Sequence, residues 1–266
     1  MKKKFNWNIC ILIVAIAVFG AYICYAKIIN DTAAPKVTCE SDEITVSVAA
    51  SQKELLKGVT AVDERDGDVT SSLIVESISA FADDERIITY AAVDEKGNVG
   101  RAMRTLKYTD YQAPKFSLEE PLRFAVGSKF DVMKGVKAES SLDGDLTNKV
   151  KFSQTSVVDK TKAGEYEGEF RVADSTGTIS YLPVKVQIYD PITDGVKVEL
   201  NQYLVYLKKG EAFNPRKYFK GSSPWGTLRI SSNVNTAEAG VYTVDYTVSY
   251  GSSKGESRLV VVVTEA

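Results

Sequence analysis

Residues 86–110 read RIITYAAVDEKGNVGRAMRTLKYTD, two runs of alternating side chains on either side of a Gly-Asn pair. Ile88, Tyr90 and Ala92 fall on one face of the first run, which is the period-two pattern of a half-buried strand. Gly97 and Asn98 are residue types that tolerate the backbone angles of a tight turn. The stretch therefore predicts a β-hairpin with one face toward a core.

The same hairpin pattern occurs twice more along the chain. AGEYEGEFRVADSTGTISYLPVKVQIYD begins at Ala163, and AGVYTVDYTVSYGSSKGESRLVVVVTEA begins at Ala239. Tyr90, Phe170 and Tyr246 occupy corresponding positions in the three copies. Short strands with turn signals every ~8–12 residues are typical of an antiparallel sandwich. We therefore predict an all-β protein of three tandem sandwiches, with domain boundaries at 35–112, 113–190 and 191–266.

An acidic turn precedes the hairpin in the first two copies. It reads Asp-Gly-Asp, then an apolar residue and Thr, at residues 66–70 and again at 143–147. Asp side chains and Gly are favoured in turns, because Asp accepts local backbone hydrogen bonds and Gly adopts positive φ. The pattern favours a turn. Two alternatives stay open. One is a pair of catalytic carboxylates. The other is a calcium site whose oxygens come from Asp63, Asp66, Asp68 and Asp94.

These motifs together, KGV…DxxDGDVT…ITYxAVDxxGN, resemble the bacterial surface immunoglobulin-like repeats found in tandem on exported proteins of Gram-positive bacteria. The second copy departs from the first at Ser140, which stands in the place of Asp63. The third has SSPWGTL where the acidic turn is expected. The resemblance implies three immunoglobulin-like β-sandwiches, and a shared fold does not by itself imply a shared function.

The N-terminus has the pattern of an export or anchoring segment. Residues 9–26, ICILIVAIAVFGAYICYA, carry no charge, and Lys2 to Lys4 precede them within a basic tail at 1–8. As a helix this run would be about 27 Å long at ~1.5 Å per residue, close to a bilayer core. We expect either a single-pass transmembrane anchor with the later domains extracellular, or a signal segment cleaved near Ala26, followed by a linker at 27–34.

Composition disfavours several classes of function. The chain has no His, so the commonest general base and metal ligand is absent, and we expect no enzymatic activity. The formal net charge is −2, without a Lys- or Arg-rich stripe, which disfavours a nucleic-acid partner. Cys39 is the only cysteine outside the apolar segment, so no disulfide forms among the exported residues, as suits a bacterial surface protein.

The third unit contains an aromatic cluster among basic residues. NPRKYFKGSSPWGTL, at 214–228, includes Tyr218, Phe219 and Trp225. Aromatic side chains dominate cores, which favours Trp225 as the core aromatic of this sandwich. The alternative is a surface on which a sugar ring stacks. The function that we predict is adhesion, presentation or spacing at the cell envelope, with cell-wall glycan or a surface or host protein as partner. The alternative is a glycan-binding module whose site lies on the third unit.

Overall fold

The structure is a computed structural model that describes residues 7–29, 31–79, 85–154 and 158–265. It divides into two compact units, Met1–Thr109 and Asp110–Ala266. Helix α1 runs from Trp7 to Ile29 and contains the apolar segment. Over the described residues, no helix meets the length and hydropathy required to cross a membrane, so the predicted transmembrane helix at 9–26 is not supported.

After α1, the first unit contains two sheets and one short helix, α2. Its elements are β1 (Lys36–Cys39), β2 (Glu43–Val46), α2 (Gln52–Leu55), β3 (Val59–Asp63), β4 (Gly67–Asp68), β5 (Ile74–Ile78), β6 (Arg86–Val93) and β7 (Val99–Tyr108). The strand order is β1-β3-β4 in one sheet and β2-β7-β6-β5 in the other. Strands β6 and β7 form the predicted hairpin, with Tyr90 opposite Ala102.

The core of this unit is built by the alternation seen in sequence. Ile88, Tyr90 and Ala92 are fully buried and pack with Val59 and Leu106. Burying an aliphatic or aromatic side chain of this size contributes about 1.5–3 kcal/mol, so the apolar face of β6 holds the two sheets together. Tyr90 keeps its hydroxyl satisfied by donating to the Leu55 carbonyl at 2.9 Å.

The second unit contains four sheets, which form two sandwiches. The strands of the first sandwich are β8 (Lys115–Leu118), β9 (Arg123–Ala125), β10 (Val136–Ser140), β11 (Gly144–Asp145), β12 (Lys151–Gln154), β13 (Gly164–Ala173) and β14 (Ile179–Tyr189). Its two sheets have the orders β11-β10-β8 and β12-β13-β14-β9. Phe170 on β13 is fully buried, at the position that Tyr90 holds in the first unit.

The strands of the second sandwich of this unit are β15 (Lys197–Leu200), β16 (Leu204–Lys208), β17 (Phe219–Ser223), β18 (Thr227–Ser232), β19 (Gly240–Tyr250) and β20 (Ser253–Thr264). Its two sheets have the orders β15-β17 and β16-β20-β19-β18. Tyr246 on β19 is fully buried in a core with Val244, Val248 and Leu259. The β-sandwich architecture predicted from the sequence is therefore observed.

The expectation of purely antiparallel sheets is wrong in one respect. Each sandwich contains one parallel edge pair, β2 with β7, β9 with β14, and β16 with β20. Each of these edge strands, β2, β9 and β16, follows a short strand of the opposite sheet, so the chain crosses from one sheet to the other between them. This crossing connection sets the direction of the edge strand, and the side-chain alternation does not.

Candidate functional sites

The acidic stretch in the first unit forms the tight connection between β3 and β4, where Asp63 lies opposite Gly67. One carboxylate oxygen of Asp63, Oδ1, accepts hydrogen bonds from the backbone N–H groups of Arg65 at 2.8 Å and Asp66 at 3.0 Å. Gly67 has φ of 75°, which other residues rarely adopt. The hydrogen bonds expected of a turn are thus present.

Asp68 accepts a hydrogen bond from the first residue of the following 3₁₀ turn. Its Oδ1 atom accepts a hydrogen bond from the Thr70 N–H at 2.9 Å, and hydrogen bonding to Thr70 holds the pKa of Asp68 below its usual value. Thr70 in turn accepts the Ala61 N–H at its side-chain oxygen, 3.0 Å away. Asp68 is exposed, and its carboxylate is engaged in a local turn with Thr70.

Asp94 organises the turn between β6 and β7. Its Oδ1 atom accepts the N–H groups of Lys96 and Asn98, each at 2.8 Å, and its Oδ2 atom accepts the Asn98 side-chain amide at 2.7 Å. Burial acts to raise the pKa of Asp94, but these hydrogen bonds outweigh it and the pKa is lowered. Both oxygens of Asp94 are therefore occupied by the turn.

A cluster of three carboxylates forms from different residues than the sequence predicted. One oxygen each from Asp31, Asp63 and Asp66 lie within 4.8 Å of one another, whereas Asp68 and Asp94 are not members. Asp63 is 2% exposed. The Asp31 side chain is 7% exposed. The Oδ2 atoms of Asp31 and Asp63 accept no hydrogen bond from any described residue. We refer to these three residues as the Asp31 cluster.

Asp31 was missed because it lies in the linker, more than thirty residues before the acidic turn. Its backbone carbonyl accepts the Asn98 side-chain amide at 3.2 Å, which places the linker beside the turn. A signal was present in the sequence: NDTAAP before the first sandwich matches TDYQAP before the second, with Asp31 answering Asp110.

The second copy of the turn pairs its strands as the first copy does, but a serine stands in the place of Asp63. Ser140 stands opposite Gly144, and its hydroxyl oxygen accepts the N–H groups of Leu142 at 3.1 Å and Asp143 at 3.3 Å. The Tyr111 hydroxyl, from the linker, donates to Asp174 Oδ2 at 2.6 Å. Burial, and then the neighbouring Asp174 carboxylate, raise the pKa of Tyr111. In the second copy, the neutral hydroxyl groups of Ser140 and Tyr111 therefore make these hydrogen bonds.

The aromatic cluster of the third unit divides into core and surface residues. Phe219 stacks on the buried Tyr246 at 6.4 Å between ring centroids, and Tyr218 stacks on Phe213 at 5.7 Å. Trp225 is 70% exposed and touches Phe219 at 6.1 Å, tilted by 59°. The interpretation of Trp225 as a core aromatic is therefore wrong. Phe219 and Tyr246 fill that position, and the indole lies on the surface.

A cleft of about 620 Å³ lies where the second and third sandwiches meet. Tyr111, Tyr181 and Tyr206 are among its lining residues, together with Lys115 and Lys208. The hydroxyls of Tyr111 and Tyr206 are already engaged, the first by Asp174 and the second by the Phe116 N–H. The lining of the cleft thus combines aromatic and lysine side chains with Gln112, Ser180, Thr264 and Glu265.

The chain is similar to known proteins at low sequence identity. No protein-family model matches the chain. It is 27% identical over 245 residues to the pesticidal crystal protein Cry22Aa of Bacillus thuringiensis, an alignment that covers 86% of this chain and 33% of that protein. It is 26% identical over 170 residues to an uncharacterized 81.3 kDa protein of Acholeplasma phage L2, covering 62% of this chain and 23% of that protein. The chain thus spans a third or less of these relatives.

Solved structures that align with the chain share little sequence with it. The M60 catalytic domain with two CBM51 domains from Clostridium perfringens ZmpB aligns at a TM-score of 0.23 and 14% identity, over 87% of this chain and 31% of that one. Human CDH23 EC21-23 aligns at a TM-score of 0.22 and 12% identity, over 86% of this chain and 100% of that one. At TM-scores this low, neither likeness bears on function.

Proposed function

We propose that the chain is a non-enzymatic module of a bacterial cell envelope that displays immunoglobulin-like sandwiches for adhesion, presentation or spacing. The observation that carries this proposal is the joint between the second and third sandwiches. Leu204 and Val260 of the third sandwich belong to the same buried cluster as Phe116, Leu118 and Val184 of the second. A continuous core across a domain boundary resists bending, which suits a structural element that holds a position.

Polar contacts reinforce this joint. The Gln187 side-chain amide donates to Glu256 Oε2 at 2.8 Å, and Arg258 contacts Glu165 at 2.7 Å. Arg258 also donates a hydrogen bond to Asp245 of its own sandwich at 2.6 Å. This bond positions the guanidinium for its contact with Glu165 of the second sandwich. Several charge-assisted bonds around an apolar centre favour one relative orientation of the two sandwiches.

We propose further that the sandwiches are exported, with cell-wall glycan or a surface or host protein as the partner. The basic Lys2 to Lys4 before an apolar run, and a single cysteine after it, support export. Protease treatment of intact cells tests this localisation. We expect the sandwiches to be degraded on intact cells, and full protection until lysis would contradict export.

The functional test uses the purified full chain with insoluble cell-wall glycan and with immobilised surface proteins. We expect capture by one of these supports, without release of soluble reducing sugars or peptide fragments. Time-dependent product release at a rate proportional to the amount of chain would overturn the non-enzymatic proposal. Failure to bind any support would contradict the adhesion proposal and leave spacing as the function.

A second candidate is glycan binding through Trp225, and its support is the exposure of the indole. The indole contacts Phe219 in a tilted arrangement, and Phe219 stacks on the buried Tyr246, so an aromatic pair lies beneath the indole. An exposed aromatic ring offers an apolar surface on which a sugar ring can pack. Trp225→Ala is expected to abolish co-sedimentation with glycan at an unchanged melting temperature. Tyr250→Ala, which removes another exposed aromatic of the same sandwich, is the matched control.

A further inference from the structure

We propose that the Asp31 cluster is a divalent-cation site whose natural occupant is calcium. Asp31 comes from the linker, Asp63 ends β3 and Asp66 lies in the acidic turn, and one oxygen of each falls within a sphere that a single cation can bridge. Two of the three side chains are more than nine-tenths buried. Adjacent buried carboxylates repel one another and lose hydration, so they require a compensating positive charge.

The described residues supply little of that charge. Arg65 is the cation paired with the cluster, and its guanidinium stands 4.0 Å from Asp31 Oδ2, beyond hydrogen-bonding distance. The Arg65 side chain is 43% exposed, so solvent screens the interaction. Asp66 has one oxygen satisfied by the Glu95 N–H at 2.9 Å. The buried Oδ2 atoms of Asp31 and Asp63 accept no hydrogen bond among the described residues.

The second sandwich shows what the turn itself needs. There the single hydroxyl oxygen of Ser140 accepts two backbone N–H groups, which are equivalent to the two that Asp63 Oδ1 accepts in the first unit. One oxygen is therefore sufficient for the turn. The second oxygen of Asp63, and its charge, have no role in the turn, which leaves them to bind something else.

The neighbouring carboxylate supports the same conclusion. Asp143, which answers Asp66, is satisfied at both oxygens in the second sandwich, by the Ser175 N–H and by the Ser175 hydroxyl, each at 2.6 Å. Where a serine replaces Asp63, the site is complete with neutral donors. Where Asp63 is present, two orphaned oxygens remain, as a site for a cation requires.

The donor set selects the kind of ion. Three carboxylates are hard oxygen ligands, and calcium takes about six to eight such oxygens at variable geometry, with water filling the remaining positions. Asp66 is partly exposed, which gives water access to one side of the site. A bound calcium ion would join the linker residue Asp31 to the turn, and so attach the segment before β1 to the first sandwich.

The test is calorimetric titration of calcium chloride into the full chain after removal of metal with a chelator. We expect one calcium ion per chain, with a Kd in the range of about 10⁻⁴–10⁻³ M that extracellular calcium modules show. Asp63→Ser, which installs the residue of the second sandwich, and Asp31→Asn should each weaken binding by about tenfold or more. Asp68→Asn should leave the Kd unchanged, because Asp68 lies outside the cluster.

Melting temperatures distinguish a lost site from a damaged fold. In chelator, Asp63→Ser should melt at or above the wild-type temperature, because it removes an uncompensated buried charge. Calcium should raise the melting temperature of the wild type and not of Asp63→Ser. No binding heat up to about 10 mM calcium, well above the range of extracellular modules, would overturn the proposal. So would retained affinity in Asp63→Ser, or a chelator-treated Asp63→Ser that melts below the wild type.

Discussion

The backbone N–H of Phe116 donates a hydrogen bond to the hydroxyl of Tyr206, 2.9 Å away, across the boundary between the second and third sandwiches. Burial raises the pKa of Tyr206, as expected of a phenol enclosed at a joint. Phe116 is the second residue of β8, which begins at Lys115, so this bond anchors the start of β8 to the neighbouring sandwich.

Tyr206→Phe should therefore destabilise the second unit. The substitution leaves the Phe116 N–H without its acceptor, and an unsatisfied buried donor costs about 1–3 kcal/mol. Urea unfolding should show a lower midpoint. Tyr181→Phe, at an exposed tyrosine of the same unit, should change the free energy of unfolding by less than about 0.5 kcal/mol. Equal midpoints for Tyr206→Phe and wild type would show that the bond is dispensable.

The Arg258–Glu165 contact should couple the two sandwiches. A double-mutant cycle with Arg258→Met and Glu165→Gln is expected to give a coupling free energy of about 0.5–1 kcal/mol, because Glu165 is partly exposed and its charge is screened. The coupling should decrease at high salt. The exposed pair Lys209–Glu265 is the control, and we expect no measurable coupling there. Similar values for both pairs would contradict a special role for Arg258.

Stability of the third sandwich should fall at alkaline pH. Burial raises the pKa of Tyr246 in the folded chain, and its hydroxyl donates to the Pro215 carbonyl at 2.7 Å. The folded state thus holds this proton more tightly than the unfolded state, whose tyrosine has a pKa of about 10. The stabilisation is complete below that pH and is lost progressively above it.

Urea unfolding at a series of pH values above about 9 measures this loss. Tyr246→Phe should be less stable than wild type at neutral pH by about 1–3 kcal/mol. Its free energy of unfolding should then fall less steeply as the pH rises. If wild type and Tyr246→Phe lose stability at the same rate, other groups carry the alkaline transition.

Gly255 should not tolerate a side chain. A Cβ atom there would meet the Val196 carbonyl oxygen at 1.8 Å, so β20 or the residue before β15 must move. We expect Gly255→Ala to cost at least about 1–3 kcal/mol, as overpacking does elsewhere. Gly164→Ala is the matched control, since its nearest neighbour would be a Tyr166 ring atom at 3.8 Å. Thermal unfolding of both variants measures the difference, and equal stability would mean that the backbone relaxes without cost.

Local patterns predicted much of the fold because each depends on neighbouring residues. Tyr90, Phe170 and Tyr246 mark buried positions on the same strand of each copy, and all three are fully buried. The acidic turn behaves as Asp and Gly chemistry requires. The direction of the edge strand β2 could not be obtained in this way, because alternation is the same in parallel and antiparallel strands.

The candidate sites were predicted less completely. The sequence singled out Asp63 and Asp66, which do cluster, but included Asp68 and Asp94, whose oxygens serve local turns. Spacing within one turn cannot reveal which side chains point together. Trp225 was misplaced for a related reason, since aromatic content does not show which of Phe219 and Trp225 reaches the core.

The sequence by itself determined the strands, the turns and the repetition, because alternation and turn chemistry act between residues close along the chain. The tertiary structure alone decided that the linker residue Asp31 meets Asp63, and that Leu204 and Val260 share a core with Phe116. Those contacts depend on where separate strands come to rest, and burial in the folded chain leaves the Oδ2 atoms of Asp31 and Asp63 without a hydrogen bond from any described residue.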